Sequence, residues 1–308
     1  METKNWSTSQ RCPQVPCYNF RENPTSTMQH MFLEDFCHGF SFDLAANKND
    51  GSFYDVCPSN SFLKKLLSFQ DYHFLRYDMD KLLSRIVRTL IFSGKAFIEV
   101  VVTTDTDKNI VGISLIPFDP IISVPGKTSN HFVALQKDKR LRFFSIQKRD
   151  CVVFRLSDLG FSRYFLRRLY KKLSRYDVLS AGDMSLSPPK TGFDFTVWND
   201  RREFRILQTT RKLGWYGRNQ SNPHIGEAYL LYRIIKLKIL RQKLLNYFLK
   251  RLNQKIEPIC KDYGIPGTLI AKQIQFSYDE LLKKLTSGEM HYSQIGDYIF
   301  SFRNTEQP

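Results

Sequence analysis

Between residues 79 and 102 the hydrophobic pattern changes period, and one glycine marks the change. Met79, Leu82, Leu83, Ile86, Val87 and Leu90 recur on a single helical stripe, with Asp78 and Asp80 near its start, where the helix dipole favours acids. The spacing predicts a buried helix over Tyr77–Phe92, closed by Gly94, because the left-handed residue that ends a helix is most easily a glycine. Ala96-Phe97-Ile98-Glu99-Val100-Val101-Val102 is then β-branched and aromatic, the composition of a strand. A polar turn at Thr104–Asn109 leads to a second strand over Ile110–Ile116, stopped by Pro117.

This order excludes the nucleotide site that Ser93-Gly94-Lys95 suggests at first sight. A phosphate loop needs a glycine five positions before the Gly-Lys pair and a Ser or Thr after it. It also runs strand–loop–helix, so that backbone amides face the phosphate. Here those positions are Thr89 and Ala96, and the order is helix–loop–strand.

Further strands are expected at Ile121–Val124, at 131–136 and 141–146 on either side of a basic turn, and at 151–156. The segment 161–179 reads as an amphipathic helix, with Tyr164, Leu166, Leu169, Tyr170 and Leu173 on its apolar side. Ser185–Gly192 (SLSPPKTG) is the clearest break, and FDFTVWND (193–200) reads as a strand after it. The longest helix is expected from about Gly226 to Ile256, with Leu230, Ile234, Leu237, Arg241, Leu244, Phe248 and Leu252 at helical spacing. A short charged helix, Tyr278–Ser287, ends at Gly288.

The fold class that follows is α+β, a mixed or antiparallel central sheet with packed helices and a long basic C-terminal helix. Three regions are expected: an irregular arm over 1–60, an α+β core over 61–184 and a mainly helical part over 193–308. No run reaches the roughly 18 consecutive apolar residues that span a bilayer, and the opening METKNWSTSQ lacks the apolar stretch of a secretory signal, so no membrane partner is expected.

The chain carries a net charge of +16, and the surplus is local. Residues 1–110 hold 12 Lys/Arg against 13 Asp/Glu, whereas Lys137–Arg175 holds 13 against 3 and Arg201–Lys261 holds 15 against 3. Such fields attract polyanions, although solvated helix faces carry the same residues with no partner. The polyanions such a field favours are nucleic acid, an anionic membrane surface or an acidic protein, and nucleic acid is the expected partner. Its candidate contacts are Arg140, Arg142, Lys148, Arg149, Arg163, Arg167, Arg168, Lys171, Lys172, Arg175, Arg211, Trp215, Arg218, Lys236, Lys238, Arg241, Lys243, Lys250 and Arg251. Trp215 belongs to Arg211–Arg218, where aromatic residues alternate with basic ones and could stack on bases. The alternative for that loop is a structural turn whose Trp fills the core.

Nothing points to catalysis, and no metal or cofactor is expected. Glu99, in an alternating strand, is expected to face solvent, and the six histidines stand singly. Cys12 and Cys17, with Cys37, His38 and Cys57, lack the second compact pair of a structural zinc site, so they read as free thiols.

The region from Met79 to Ser162 resembles the core of tailed-phage portal proteins. The matching residues are Gly94, Ala96, Phe97, Ile98, Glu99, Val100 and Val101, then Val111, Leu115, Ile116 and Pro117. Asp150-Cys151-Val152-Val153-Phe154-Arg155 and Gly160-Phe161-Ser162 occupy the place of that family's next strand and Gly-x-Ser segment. Lys95 stands where the family usually has Asn. The resemblance implies a ring subunit in the virion or host cytoplasm, a homo-oligomer with other capsid proteins as partners, through which double-stranded DNA passes without sequence-specific contact. The different expectation drawn from charge alone is a non-enzymatic nucleic-acid-binding protein, regulatory or defensive, using its basic helices.

Overall fold

The structure, a computed structural model, describes residues 24, 26–37, 54–59, 61–68, 75–135, 140–176, 195–217, 226–271 and 277–296. Among them the elements are α1 (Thr27–Cys37), β1 (Tyr54–Cys57), α2 (Leu63–Ser68), α3 (Leu75–Ser93), β2 (Lys95–Thr104) and β3 (Ile110–Phe118). β4 (Ile122–Pro125), β5 (Ser129–Leu135), β6 (Leu141–Gln147) and β7 (Cys151–Arg155) follow. The remainder is α4 (Phe165–Leu173), α5 (Phe195–Thr210), α6 (Glu227–Asp262), β8 (Thr268–Ala271) and α7 (Tyr278–Ser287). The α+β class and the long C-terminal helix are as the sequence predicts, with antiparallel sheets in the orders β1-β8, β3-β2-β7 and β4-β5-β6.

The described chain divides into two compact units drawn from interleaved segments, not from consecutive regions. One lies within 49–166 and 244–272, the other within 24–48, 167–243 and 273–308. The boundary expected at Ser185–Gly192 lies outside the described residues.

In the first unit, α3 runs into β2 through Gly94, whose φ of +70° and whose N–H, donating to the Leu90 carbonyl (3.0 Å), make it the helix cap predicted. β2 is the middle strand of its sheet and is buried on both faces. Phe97 packs with Phe118, Phe132, Ile146 and Cys151, which joins this sheet to β4-β5-β6, while Ala96, Ile98, Val100 and Val102 are also buried and α3 lies against the strand. A strand covered on both sides has no solvent face. Glu99, expected to point to water, is therefore 2% exposed.

The C-terminal half of α6 is fastened to β7 by polar side chains. Arg251 donates from Nε (3.0 Å) and Nη2 (2.7 Å) to the Val153 carbonyl, Lys255 Nζ donates to the Lys148 carbonyl (2.7 Å), and Tyr247 Oη accepts from the Arg155 amide (2.9 Å). The helix continues to Asp262 past Pro258, where the sequence suggests a stop near Ile256. Ile259 and Cys260, both buried, hold its last turn in the core.

In the second unit, α1 corrects the expectation of an irregular arm, with Phe32, Leu33 and Phe36 buried on one side of the helix. The segment expected to be a strand, 193–200, instead opens α5 at Phe195. Its β-branched and aromatic residues suggest a strand, but Ile206, Leu207 and Thr210 are buried at helical spacing further along. α7 packs Tyr278 and Leu281 on Leu231, Ile234, Ile235 and Ile239 of α6. Ser277 caps it by accepting the Glu280 amide, and Gly288 closes it at φ +76°.

Candidate nucleic-acid interface

A cationic surface of the second unit is built on α4 and the turn after it. Leu169, Tyr170 and Leu173 are buried there, and the Gln29 side chain of α1 donates to the Tyr170 carbonyl (3.1 Å), so one face of the helix is fixed inward. Helical periodicity then turns the other face outward. Arg168, Lys171, Lys172 and Arg175 are exposed and Arg167 is half-buried, and the segment 165–176 contains no Asp or Glu.

α5 adds cations to the same unit. Tyr176 Oη lies 2.7 Å from Thr209 Oγ1, which brings the chain at Arg175 close to the chain at Arg211. Arg201, Arg205, Arg211 and Lys212 are all exposed. Arg201, Arg205 and Lys212 are not among the residues expected from the sequence. The i, i+4 spacing of Arg201 and Arg205 is the signal of a helix face, and the strand expected just before it, over 193–200, leaves no helix for it to continue.

The Arg211–Arg218 loop does not offer a stacking platform. Trp215 is fully buried, its ring edge meets Phe32 at 5.3 Å between centroids, and its Nε1 donates to the Asp35 carboxylate at 2.8 Å. Gly214, at φ +81°, lies so close to α6 that a Cβ would sit 2.4 Å from the Arg233 carbonyl oxygen. Arg233 itself is buried and donates to the Leu207 carbonyl (3.0 Å), to Thr210 Oγ1 (2.7 Å) and to the Trp215 carbonyl. The loop is thus a structural turn, and Trp215 leaves the set of candidate contacts. Arg218 lies outside the described residues.

On α6 the expected basic side chains divide by use. Lys236 and Lys238 are half-buried over the rings of Tyr232 (5.6 Å) and Tyr278 (5.5 Å), Arg241 is half-buried, and Arg251 is spent on the Val153 carbonyl. Lys243 and Lys250 are exposed. In the first unit Arg140, Lys148 and Arg163 are exposed, whereas Arg142 and Arg149 are half-buried and Arg149 Nε lies 3.4 Å from Asp150 Oδ1.

Glu99 and Asp150 are both buried, and Asp150 lies near Arg149, Glu99 and Lys255. Burial pushes the Asp150 carboxyl above the usual carboxylate range; Arg149 opposes the rise, and the like charge of Glu99 adds to it. Among the described residues no group of three or more His, Cys, Asp or Glu side chains gathers as metal ligands would. Of the cysteines considered for zinc, Cys37 is buried and Cys57 exposed, while Cys12, Cys17 and His38 lie outside the described residues. No described helix is long and apolar enough to cross a membrane. No protein-family model matches the chain, and no curated protein is similar to it.

Proposed function

We propose that this chain is a non-enzymatic structural protein that holds double-stranded DNA through phosphate contacts, as a portal-like ring subunit of a phage or mobile element. The observation that carries the DNA contact is the outward face of α4 and the turn after it, where Arg168, Lys171, Lys172 and Arg175 stand exposed in a segment without an acid. Lys and Arg at such a face bind phosphates of any sequence, and affinity falls steeply with salt. The helix–glycine–hairpin order over 75–118, followed by the antiparallel strand β7, supports the portal-like part of the reading, because it is the arrangement on which the resemblance rests. Homo-oligomers and other capsid proteins are its proposed partners, in the host cytoplasm or the virion.

A second reading is favoured by the same face of α4, which needs no ring to work: a nucleic-acid-binding protein, regulatory or defensive, acting as a monomer or dimer. The mass of the purified chain in solution, measured with and without duplex DNA, separates the two. A closed ring of many copies is the expected result, and a small species across a range of salt and concentration removes the portal-like reading. Replacing Arg168, Lys171, Lys172 and Arg175 by Ala is expected to weaken duplex binding and to flatten its salt dependence by roughly 0.9 for each phosphate no longer held. Unchanged binding would reduce α4 to a solvated face.

A further inference from the structure

The ladder between β2 and β7 places Lys95 directly opposite Arg155. Like charges at facing positions of an antiparallel pair repel, and cross-strand pairs are otherwise a source of stability. A third cation joins them. Arg163 donates from Nε to the Ser93 carbonyl at 3.3 Å, and its own backbone carbonyl packs on Gly94 so closely that a Cβ there would lie 2.2 Å from the oxygen. The glycine therefore admits the segment that carries Arg163 to the start of β2. The Arg163 guanidinium also lies 5.0 Å from the centre of the Tyr164 ring, which restricts its swing.

Among the described residues neither Lys95, Arg155 nor Arg163 forms an ion pair with an acid. Asp158, in the same stretch of chain, is engaged by Tyr247 Oη, which donates to it at 2.7 Å. Burial first, then Arg163 and Arg155, lowers the Lys95 ammonium below its ordinary value, so its charge already carries a cost. Arg155 and Arg163 are exposed and Lys95 is half-buried, so a ligand can reach all three.

We propose that Lys95, Arg155 and Arg163 form a phosphate-binding site, and that in the assembled complex its ligand is a backbone phosphate of the DNA. An anion between them turns the repulsion across the ladder into three attractions, with the planar guanidinium groups suited to paired oxygens. The identity of the ligand rests on the nucleic-acid reading above, whereas the site itself does not.

The test uses the full chain and two probes, inorganic tripolyphosphate and a short DNA duplex, with Lys95→Ala/Arg155→Ala and the milder Lys95→Gln/Arg155→Gln as variants. Without ligand both variants are expected to melt at or above the wild-type temperature, because a repulsion has been removed. Tripolyphosphate at constant ionic strength should raise the melting temperature of the wild type and not of the variants. Duplex affinity should fall on the order of tenfold with a salt slope shallower by roughly 1 to 2. Arg155→Lys, which keeps the charge, should retain most of both effects.

Equal stabilisation of variants and wild type by tripolyphosphate, or no stabilisation of either, overturns the site. Duplex binding that depends on α4 and is indifferent to Lys95 and Arg155 overturns its assignment to DNA while leaving the proposed function standing. A tripolyphosphate response confined to the wild type, with no duplex binding at all, upholds the site for free phosphates and removes the DNA reading.

Discussion

Trp215 Nε1 donates a 2.8 Å hydrogen bond to the carboxylate of Asp35, which ties the loop after α5 to α1. The indole is buried against Phe32, so its contribution is to stability and not to recognition. Trp215→Phe keeps an aromatic ring and deletes the donor. Urea denaturation should show a loss of about 1–3 kcal/mol, from the hydrogen bond to Asp35 and the packing of the larger indole against Phe32, with duplex affinity unchanged. A variant as stable as the wild type but weaker on DNA would return Trp215 to the interface.

Arg233 satisfies the Leu207 carbonyl, Thr210 Oγ1 and the Trp215 carbonyl with one guanidinium. Arg233→Met removes the charge and leaves those acceptors buried, at a cost of roughly 3 kcal/mol or more. Arg233→Lys should be nearly as damaging, because one ammonium cannot span the three positions. Full retention of stability by the lysine variant would show that charge alone is what the site needs.

Gly94→Ala meets two obstacles, the positive φ and the Arg163 carbonyl. The conformation alone costs about 1 kcal/mol, and the close approach adds to it unless the Arg163 segment moves away. The expected outcome is lower stability together with a weaker response to tripolyphosphate. A stable variant with an unchanged response would mean that Gly94 does not position Arg163.

Asp150 gives a pH signature. Burial raises its carboxyl pKa in the folded protein, so between the unfolded and folded values the native state holds more protons than the unfolded chain. Its contribution to stability is thus fully present below the unfolded pKa, near 3.8, and is lost as pH rises through the folded value. Asp150→Asn does not titrate. Denaturation series should show the stability difference moving in favour of the variant as pH rises from acid towards neutral, and a pH-independent difference would contradict the assignment.

The elements legible in the sequence are those where local pattern and tertiary burial agree. The stripe from Met79 to Leu90, the cap at Gly94 and the amphipathic 165–173 helix all have one apolar face and one place to put it. The pattern around Glu99 misleads because alternation assumes a strand with a wet side, and only the packing of β2 between α3 and the second sheet removes it. α5 is hidden because Phe195, Val197 and Trp198 favour a strand locally, while the buried Ile206, Leu207 and Thr210 that fix the helix come later. The basic face of α4 is visible as a face. The Lys95–Arg155 opposition is not, since it exists only once the register of two strands 60 residues apart is known.

The interleaving of the two units constrains how the chain acquires its structure during synthesis. β1 is made early, but its only described strand partner, β8, begins at Thr268, and the side chains that fasten β7, Arg251 and Lys255, also come late. The segments of the second unit within 167–243 leave the ribosome in between. The unit that holds β1 is therefore completed only after the 167–243 segments of the other have appeared, so the surface of β7 on which Phe248 and Arg251 of α6 pack must wait uncovered. Release of a nascent chain near residue 200 would yield a fragment lacking parts of both units, so it would expose apolar surface to proteases.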